Sequence, residues 1–223
     1  MAVNINEFKK FVEYVSNKDQ SGRSVSVDQF NEAAHRAQMQ VFEKDRAIFV
    51  AEQIASDYLK EFLKKKIFNG PFLAGEFNLP SDFEHTTALR NHHLKKNGKT
   101  TEVEILEVKN ADWGEITSSS LYEPTDRFPK YSEFKNIMRV LPADLKTVTL
   151  EYFATPVRPI WAFTPGTTGR PVYDPINSVD FEWDQFAMNN VAAYYLALVG
   201  VNLKDTELAN FTQMYKEETK SLI

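Results

Sequence analysis

The first seventy residues place apolar side chains at intervals of three, four and seven, which is the spacing of one helix face. A first helix is predicted from about Asn4 to Ser16, because Asn4 and Glu7 have the spacing of a capping box. The apolar stripe after this cap consists of Ile5, Phe8, Phe11, Val12 and Val15. We expect the stripe to be the buried face of the helix.

A second capping box, Ser26–Gln29, opens a longer helical pattern. Neither glycine nor proline interrupts residues 23–69, and a continuous helix over them would be on the order of 60 Å long. Because that length exceeds the usual globular helix, a break near Glu43–Asp45 is favoured. The pattern is predicted to end at Asn69–Pro71, where glycine and proline follow one another.

After residue 70 the pattern changes to short alternating runs separated by turn residues, which is typical of strands. A projecting hairpin with aromatic residues on its arms is predicted at about 156–175, because its prolines exclude it from a central strand. The close spacing of the runs before it implies an antiparallel sheet or a small sandwich. The five predicted strands are His85–Leu94, Thr100–Val108, Lys130–Phe134, Ile137–Leu141 and Thr147–Phe153. Lys135–Asn136 is predicted to be a two-residue hairpin loop.

Helical spacing returns near the end of the chain, over Asp180–Leu198 and in a last helix that Asp205 caps. The first of these helices is predicted to be capped near Ser178 and to end before Gly200. All ten prolines lie between Pro71 and Pro175, which agrees with helical ends around a turn-rich middle. The prediction is an α+β fold in which N- and C-terminal helices form a helical part around a central antiparallel β-sheet or small β-sandwich with a projecting hairpin. The predicted parts are 1–70 (helical), 71–175 (β-rich, with the hairpin) and 176–223 (helices that pack with the first part).

Charge and composition narrow the class of protein. The absence of cysteine excludes disulfides, thiolate metal sites and cysteine nucleophiles. The formal net charge is −5, and Lys64–Lys66 is the one clearly basic run, so direct recognition of DNA is disfavoured. The chain begins without the pattern of a signal peptide, and no run approaches the roughly 20 apolar residues that span a bilayer. We expect a soluble intracellular product.

Motifs of known enzyme classes are absent from the sequence, including dinucleotide, P-loop, serine-hydrolase and zinc-protease signatures. His92 and His93 are adjacent on a predicted strand and should face opposite sides, which is unsuited to one metal. Glu102 and Glu104 share the face opposite Val103, the pattern of a half-solvated strand. We therefore expect no catalytic residue, no metal and no cofactor, and a protein that is not an enzyme.

Six aromatic residues occur within 26 positions, from Trp161 to Phe186. The favoured interpretation is a core between the hairpin and the following helix. The alternative is that some of them form contact surface in an assembly, because exposed aromatic residues are common interface anchors. The candidate oligomer or partner contacts are Trp161, Phe163, Tyr173, Phe49, Phe62 and Tyr215.

The order of motifs resembles the head-to-tail connector proteins (adaptors, or neck rings) of tailed bacteriophages. The resemblance covers about Ser24 to Leu208, and Arg158–Trp161 with the hairpin after it is most similar to virion proteins of crAss-like phages of Bacteroidetes hosts. One motif, Leu79–Phe83, looks like the family's "leucine-proline-x-aspartate-phenylalanine" start of the β-region. The resemblance to the family also rests on four other segments: Tyr122–Tyr131, Asn136–Pro142, Leu150–Tyr152 with Pro156, and Ser178–Glu182.

This resemblance implies a structural virion protein that forms a homo-oligomeric ring, commonly of twelve subunits. The ring would dock beneath the portal protein, contact adjacent neck or tail rings and let genomic DNA pass as cargo. It implies no membrane partner, production in the cytoplasm of the host bacterium, and a final location in the virion neck. The acidic segment 176–223, with three basic and seven acidic residues, suggests the hypothesis of a negative lining that lets DNA slide.

Two other functions stay open from the sequence. Within the same class, the chain is a subunit of a tail-side ring or of the tail hub. From another class, it is a soluble ligand-binding protein or an enzyme with its site in the β-region. These alternatives differ in where their functional residues should lie, since a connector uses subunit contacts and an enzyme uses a deep pocket with convergent titratable groups.

Overall fold

The structure, a computed structural model, describes residues 3–16, 25–52, 58–94, 100–118, 123–167 and 169–202. These residues form an α+β fold with largely antiparallel sheets, so the predicted fold class is confirmed. The chain divides into two compact units. The helical unit lies within Met1–Glu61 and Pro156–Ile223, and the β unit is Phe62–Thr155.

The regular elements of the described residues are four α-helices, ten strands and two short 3₁₀ helices. The helices are α1 (Ile5–Ser16), α2 (Val27–Glu52), α3 (Trp113–Ser118) and α4 (Ala187–Asn202), and the 3₁₀ helices are Leu59–Phe62 and Leu73–Gly75. The strands are β1 (Leu63–Asn69), β2 (Glu76–Asn78), β3 (Phe83–Leu94), β4 (Thr100–Glu104), β5 (Leu106–Glu107), β6 (Lys130–Phe134), β7 (Ile137–Leu141), β8 (Thr147–Ala154), β9 (Phe163–Pro165) and β10 (Pro171–Tyr173).

Both predicted helix starts carry side-chain caps. The Asn4 Oδ1 accepts hydrogen bonds from the backbone N–H of Asn6 at 3.0 Å and of Glu7 at 3.3 Å. At the start of α2 the box is reciprocal, since the Gln29 N–H donates to Ser26 Oγ and the Ser26 N–H donates to Gln29 Oε1. These bonds satisfy amide groups that have no partner within their own helix.

Helix α1 buries only part of its predicted apolar stripe. Ile5, Phe8 and Val12 are buried, and the Phe8 ring lies in an aromatic cluster with Phe30, Phe181 and Tyr195 at centroid distances of 4.9–6.3 Å. Phe11 and Val15 are exposed, so the expectation that the whole stripe is buried is wrong. The five residues span a wider arc of the helix than one line of contact can cover.

Helix α2 is continuous over residues 27–52, so the predicted break near Glu43–Asp45 is wrong. The helix buries side chains on both sides of that region, Phe42 before it and Phe49 after it, and the partly exposed Arg46 and Glu43 side chains form an ion pair one turn apart. Packing on both sides of the region compensates for the length that made a single helix improbable from sequence. The buried residues of α2 are Phe30, Ala34, Ala37, Gln38, Val41, Phe42 and Phe49.

The C-terminal helix α4 begins later than predicted and runs past Gly200. Asp184 caps it by accepting the Ala187 N–H at 2.7 Å, whereas Ser178, the predicted cap, bonds to the hairpin segment instead. The last predicted helix, with Tyr215, lies outside the described residues. Within the part of the chain that the structure describes, no helix is long and apolar enough to span a membrane.

The β unit consists of two four-stranded sheets that share one hydrophobic cluster. The first has the order β1-β8-β3-β4, all antiparallel, and the second has the order β2-β7-β6-β5, with β5 parallel to β6. Lys135–Asn136 forms the predicted two-residue hairpin loop, with Lys135 at a φ of 54°. The cluster is formed by Phe72, Leu89, Ile105, Tyr131, Met138, Val140, Leu145, Val148, Leu150, Tyr152 and Ala154.

Leu63–Asn69 is strand β1, so the predicted continuation of the helix to residue 69 is wrong. Every residue of β1 pairs with β8, from Leu63 opposite Phe153 to Asn69 opposite Thr147. The lysines of this segment suit a helix and equally suit an edge strand, where they discourage pairing with another chain. Pairing with β8 therefore decides between two states that local sequence leaves close.

In the structure the boundaries between the units lie after Glu61 and after Thr155. The sequence placed them after residue 70 and after residue 175. The difference at the first boundary follows from β1, which belongs to the β unit. The difference at the second follows from the hairpin β9–β10, which belongs to the helical unit. The predicted hairpin itself is present, with Tyr173 opposite Phe163.

Gly75→Ala is expected to lower the free energy of unfolding of the β unit by about 1–3 kcal/mol. Gly75 has a φ of +74°, and a Cβ atom there would lie 2.4 Å from the Val140 carbonyl oxygen. The matched control is Gly114→Ala in α3, where a new Cβ meets no atom within 4 Å and should be neutral or stabilising by about 0.4–1 kcal/mol. Urea denaturation of both variants measures the difference, and equal effects would contradict the assignment.

Candidate interaction surface

Two amide side chains of α2 hold the segment that leads into the hairpin. Asn31 accepts the Trp161 N–H at 2.8 Å and donates to the Trp161 carbonyl at 3.3 Å, so it pairs with this backbone as a neighbouring strand would. Gln38, two turns later, is fully buried; it donates to the Val157 carbonyl at 2.8 Å and accepts the Trp183 Nε1–H at 3.3 Å. Both amides thus fix the segment on one face of α2.

The Trp161 ring joins the hairpin to α1. It stacks on Phe163 at 6.2 Å and on Tyr173 at 5.8 Å, with interplanar angles of 19° and 26°. Its Nε1–H donates to Asn6 Oδ1 at 3.1 Å, and the Lys9 ammonium lies 4.8 Å from the ring centroid. A buried indole with its N–H satisfied and a cation over its face is a strong anchor.

The base of the hairpin is closed by a turn at Asp174. The Asp174 N–H donates to the Ala162 carbonyl at 3.0 Å, and Ser178 Oγ accepts the Ala162 N–H and donates to the Asp174 carbonyl. The hydrogen bonds with the Asn177 side chain and with the backbone N–H groups of Ile176 and Asn177 hold the pKa of the Asp174 carboxyl below its ordinary value. The base is therefore rigid on both strands.

Beyond this base the hairpin is exposed. Phe163 is 46% exposed and Val172 is 53% exposed. Val172 pairs with Thr164 and shares its face of the hairpin, whereas Phe163, the residue before Thr164, lies on the opposite face. Near the tip the Gly166 N–H donates to the Arg170 carbonyl at 2.9 Å. We call the exposed residues Phe163, Pro165, Pro171 and Val172 the hairpin patch.

Helix α1 has a second exposed apolar area. Phe11 is 48% exposed and Tyr14 is 85% exposed, and Val15 lies beside them one turn after Phe11. These three residues, the α1 patch, have the 3- and 4-residue spacing that places them on one helix face. The sequence prediction missed the patch as a surface, although Tyr14 beside the stripe was a signal that the apolar arc was too wide to be buried.

The predicted contact residues divide into buried and exposed sets. Trp161, Phe49 and Phe62 are buried within their own units, so their side chains stabilise the fold and offer no surface. Phe163 is exposed and Tyr173 is partly exposed, in line with a role in contacts. Tyr215 lies outside the described residues. Sequence reasoning also missed Asn31 and Gln38, although Gln38 stands on the apolar stripe of α2, where a polar residue needs a partner.

The acidic residues of the C-terminal segment that the structure describes are structural acceptors. Asp180 accepts the Ile5 N–H at 2.8 Å, Glu182 accepts the Val157 N–H at 2.9 Å, and Asp184 caps α4. The other four acidic residues of 176–223 lie outside the described residues. These three carboxylates therefore do not support the hypothesis of a negative lining.

The β unit brings no group of metal-ligating residues together among the residues that the structure describes. The His92 ring lies 2.7 Å from Thr149 Oγ1, and His92 pairs with Glu102 of β4. The side chain of His93 lies outside the described residues.

Two residues of β6 have shifted pKa values. Burial raises the pKa of Glu133, and the neighbouring Glu107 carboxylate raises it further. Burial, with Glu107 second, also raises the pKa of the Tyr131 hydroxyl.

Gln38→Leu is expected to lower the free energy of unfolding by about 1–3 kcal/mol for each group that it leaves unsatisfied. The Val157 carbonyl and the Trp183 indole N–H would lose their partner inside the core. Gln40→Leu is the matched control on the same helix, because Gln40 is exposed and its change should fall within about 0.5 kcal/mol of zero. Denaturation followed by tryptophan fluorescence compares them, and equal losses would count against the amide anchor.

Glu133→Gln is expected to stabilise the β unit at neutral pH, with a gain that shrinks as the pH falls. Because the folded state raises the pKa of Glu133, this residue stabilises the fold when protonated, and that contribution is lost as the pH rises through the raised pKa. The pH range over which this stabilisation is lost therefore lies above 4.5, the ordinary pKa of a glutamate side chain. Thermal unfolding at several pH values tests this against Glu102→Gln, an exposed control on β4. A pH-independent gain in both variants would refute the prediction.

No protein-family model and no curated protein sequence matches the chain. The surface is therefore described by its geometry alone: a hairpin that amide side chains of α2 hold in place and whose outer residues are exposed.

Proposed function

We propose that the chain is a structural virion protein, a subunit of a head-to-tail connector ring that joins the portal to the tail of a bacteriophage and extends the DNA channel. The observation that carries this proposal is the hairpin β9–β10, which is fixed at its base by Asn31, Trp161 and Ser178 and exposed beyond it. The order of motifs from Leu79–Phe83 to Ser178–Glu182, similar to that of the connector family, supplies the class of assembly.

A fixed hairpin suits a subunit whose function is to make contacts. Association is less costly when the contacting element is already ordered, since little side-chain and backbone freedom is lost on binding. A head-to-tail contact between identical subunits closes into a ring when the rotation permits. The anchoring of Trp161 on α1 and α2 therefore prepares an element that can reach a neighbouring subunit or an adjacent ring.

The charges of the β unit agree with DNA as passing cargo. Two lysines of the basic run are paired within the β unit, with Lys64 2.8 Å from Asp82 and Lys65 3.8 Å from Glu151. The Lys64 hydrogen bond holds the pKa of the Asp82 carboxyl below its ordinary value. Cations that already have carboxylate partners release fewer counterions from DNA, so phosphates are held weakly.

The same contacts would serve a tail-side ring or a tail hub subunit. Binding to the portal protein of the same virus distinguishes a neck location from these, because a connector docks on the portal and a tail hub subunit does not. A location in the virion neck, assembled from subunits made in the host cytoplasm, is part of the proposal.

Deletion of residues 164–169 is expected to raise the protein concentration needed for ring formation at least about tenfold, a loss of about 1.4 kcal/mol per contact. The monomer should stay folded, because Asn31, Trp161 and Ser178 lie outside the deletion. Mass photometry of the purified protein, alone and with its portal protein, measures assembly, and negative-stain images show whether closed rings form. Gly114→Ala, a change in the β unit, is the control variant.

The outcomes separate the parts of the proposal. Rings that form equally well without residues 164–169 would show that the tip of the hairpin does not make the contact. An intact protein that stays monomeric at all concentrations, and adds no density to the portal, would overturn the connector function itself.

A further inference from the structure

We propose that the hairpin patch of one copy binds the α1 patch of the next copy, and that this single contact, repeated head to tail, closes the ring. The inference rests on the proposed function for the existence of a ring, and it names the partner of the hairpin as a second copy of this chain. Both patches belong to the helical unit, so one compact body carries both halves of the contact.

The two patches lie on opposite flanks of α1. Asn6 and Lys9 contact Trp161 and so mark the flank on which the hairpin rests. At the 3.6 residues per turn of an α-helix, the mean direction of Phe11 and Tyr14 lies about 140° around the helix axis from that of Asn6 and Lys9. Ile5, Phe8 and Val12 occupy the arc between the flanks and are buried in the unit. The hairpin and the α1 patch therefore face away from each other.

Opposite flanks favour a head-to-tail contact over a two-fold one. In a two-fold dimer the same surface of both copies meets, so the hairpin and the α1 patch could pair reciprocally only if they lay on one face of the unit. In a head-to-tail contact each copy uses both surfaces, once on each side. A narrow hairpin can lie along a helix face with Val172 toward that helix, while Phe163 on the other face of the hairpin stays against Trp161 of its own copy.

Charged residues beside the two patches favour one orientation of the contact. Arg170 is exposed at the hairpin tip, and Glu7 is exposed on α1 one turn before Phe11. Within the described parts of the chain, no hydrogen bond or ion pair involves the side chain of either residue. An Arg170–Glu7 pair between copies contributes little affinity at a surface, but it favours one register and one orientation of the hairpin on α1.

The absence of cysteine in the sequence allows a direct test by disulfide crosslinking. Tyr14→Cys and Val172→Cys are made as separate single variants, one of them carrying a tag, and are mixed before oxidation. Both side chains are exposed, so neither change should disturb the fold. The control mixture pairs Tyr14→Cys with Leu73→Cys, which is 91% exposed in the β unit.

The expected result is a tagged–untagged heterodimer whose yield exceeds that of the control mixture at least about tenfold, because bound neighbours raise the effective thiol concentration. Crosslinking of Tyr14→Cys mainly to itself would indicate a two-fold contact and would overturn the proposal. Assembled rings without the Tyr14–Val172 crosslink would overturn this contact and leave the connector function standing. A protein that shows neither assembly nor crosslinking would overturn both.

Discussion

The helical unit depends on hydrogen bonds between two amide side chains of α2 and a segment more than a hundred residues away. Asn31 pairs with both backbone groups of Trp161, and Gln38 bridges the Val157 carbonyl and the Trp183 indole. Irregular backbone carries donors and acceptors that a buried position must satisfy. The two amides supply these partners, so the chain can pass over α2 without regular secondary structure and still hold Trp161 in one position. The hairpin, the aromatic stack and the contact with α1 all depend on that position.

The sequence was most informative where the cause of structure is local. Ser26–Gln29 predicts the start of α2, Lys135–Asn136 predicts a tight hairpin, and the alternation in Thr147–Phe153 predicts β8. It failed for β1, because Lys64–Lys66 suits a helix as well as an edge strand and only the pairing with β8 decides. The sequence assigned the hairpin to the β-rich part, whereas in the structure it lies in the helical unit, because its anchor is an amide at Asn31 that no local pattern connects to Trp161.

The interaction surface was predictable only in part, and the reason is again the distance along the chain between partners. Aromatic density singled out Trp161 and Phe163, but not which ring would be buried. Trp161 is buried because α1 and α2 both reach it, whereas Phe163, two residues further on, is at the margin of that contact. In α1, a stripe wider than its packing partner can cover leaves Phe11 and Val15 outside the core. Exposure at such margins follows from tertiary packing and not from residue type.

The β unit, Phe62–Thr155, is one continuous stretch inserted between the two parts of the helical unit. During synthesis its eight described strands are all made before Pro156 is added, so this unit leaves the ribosome ahead of the second part of the helical unit and can complete its core first. Phe8 and Phe30 must wait for Tyr195 before their aromatic cluster is whole. The helical unit and its hairpin are therefore finished last. A chain that stops early would hold a folded β unit without a hairpin, and assembly through the hairpin would admit only subunits whose synthesis is complete.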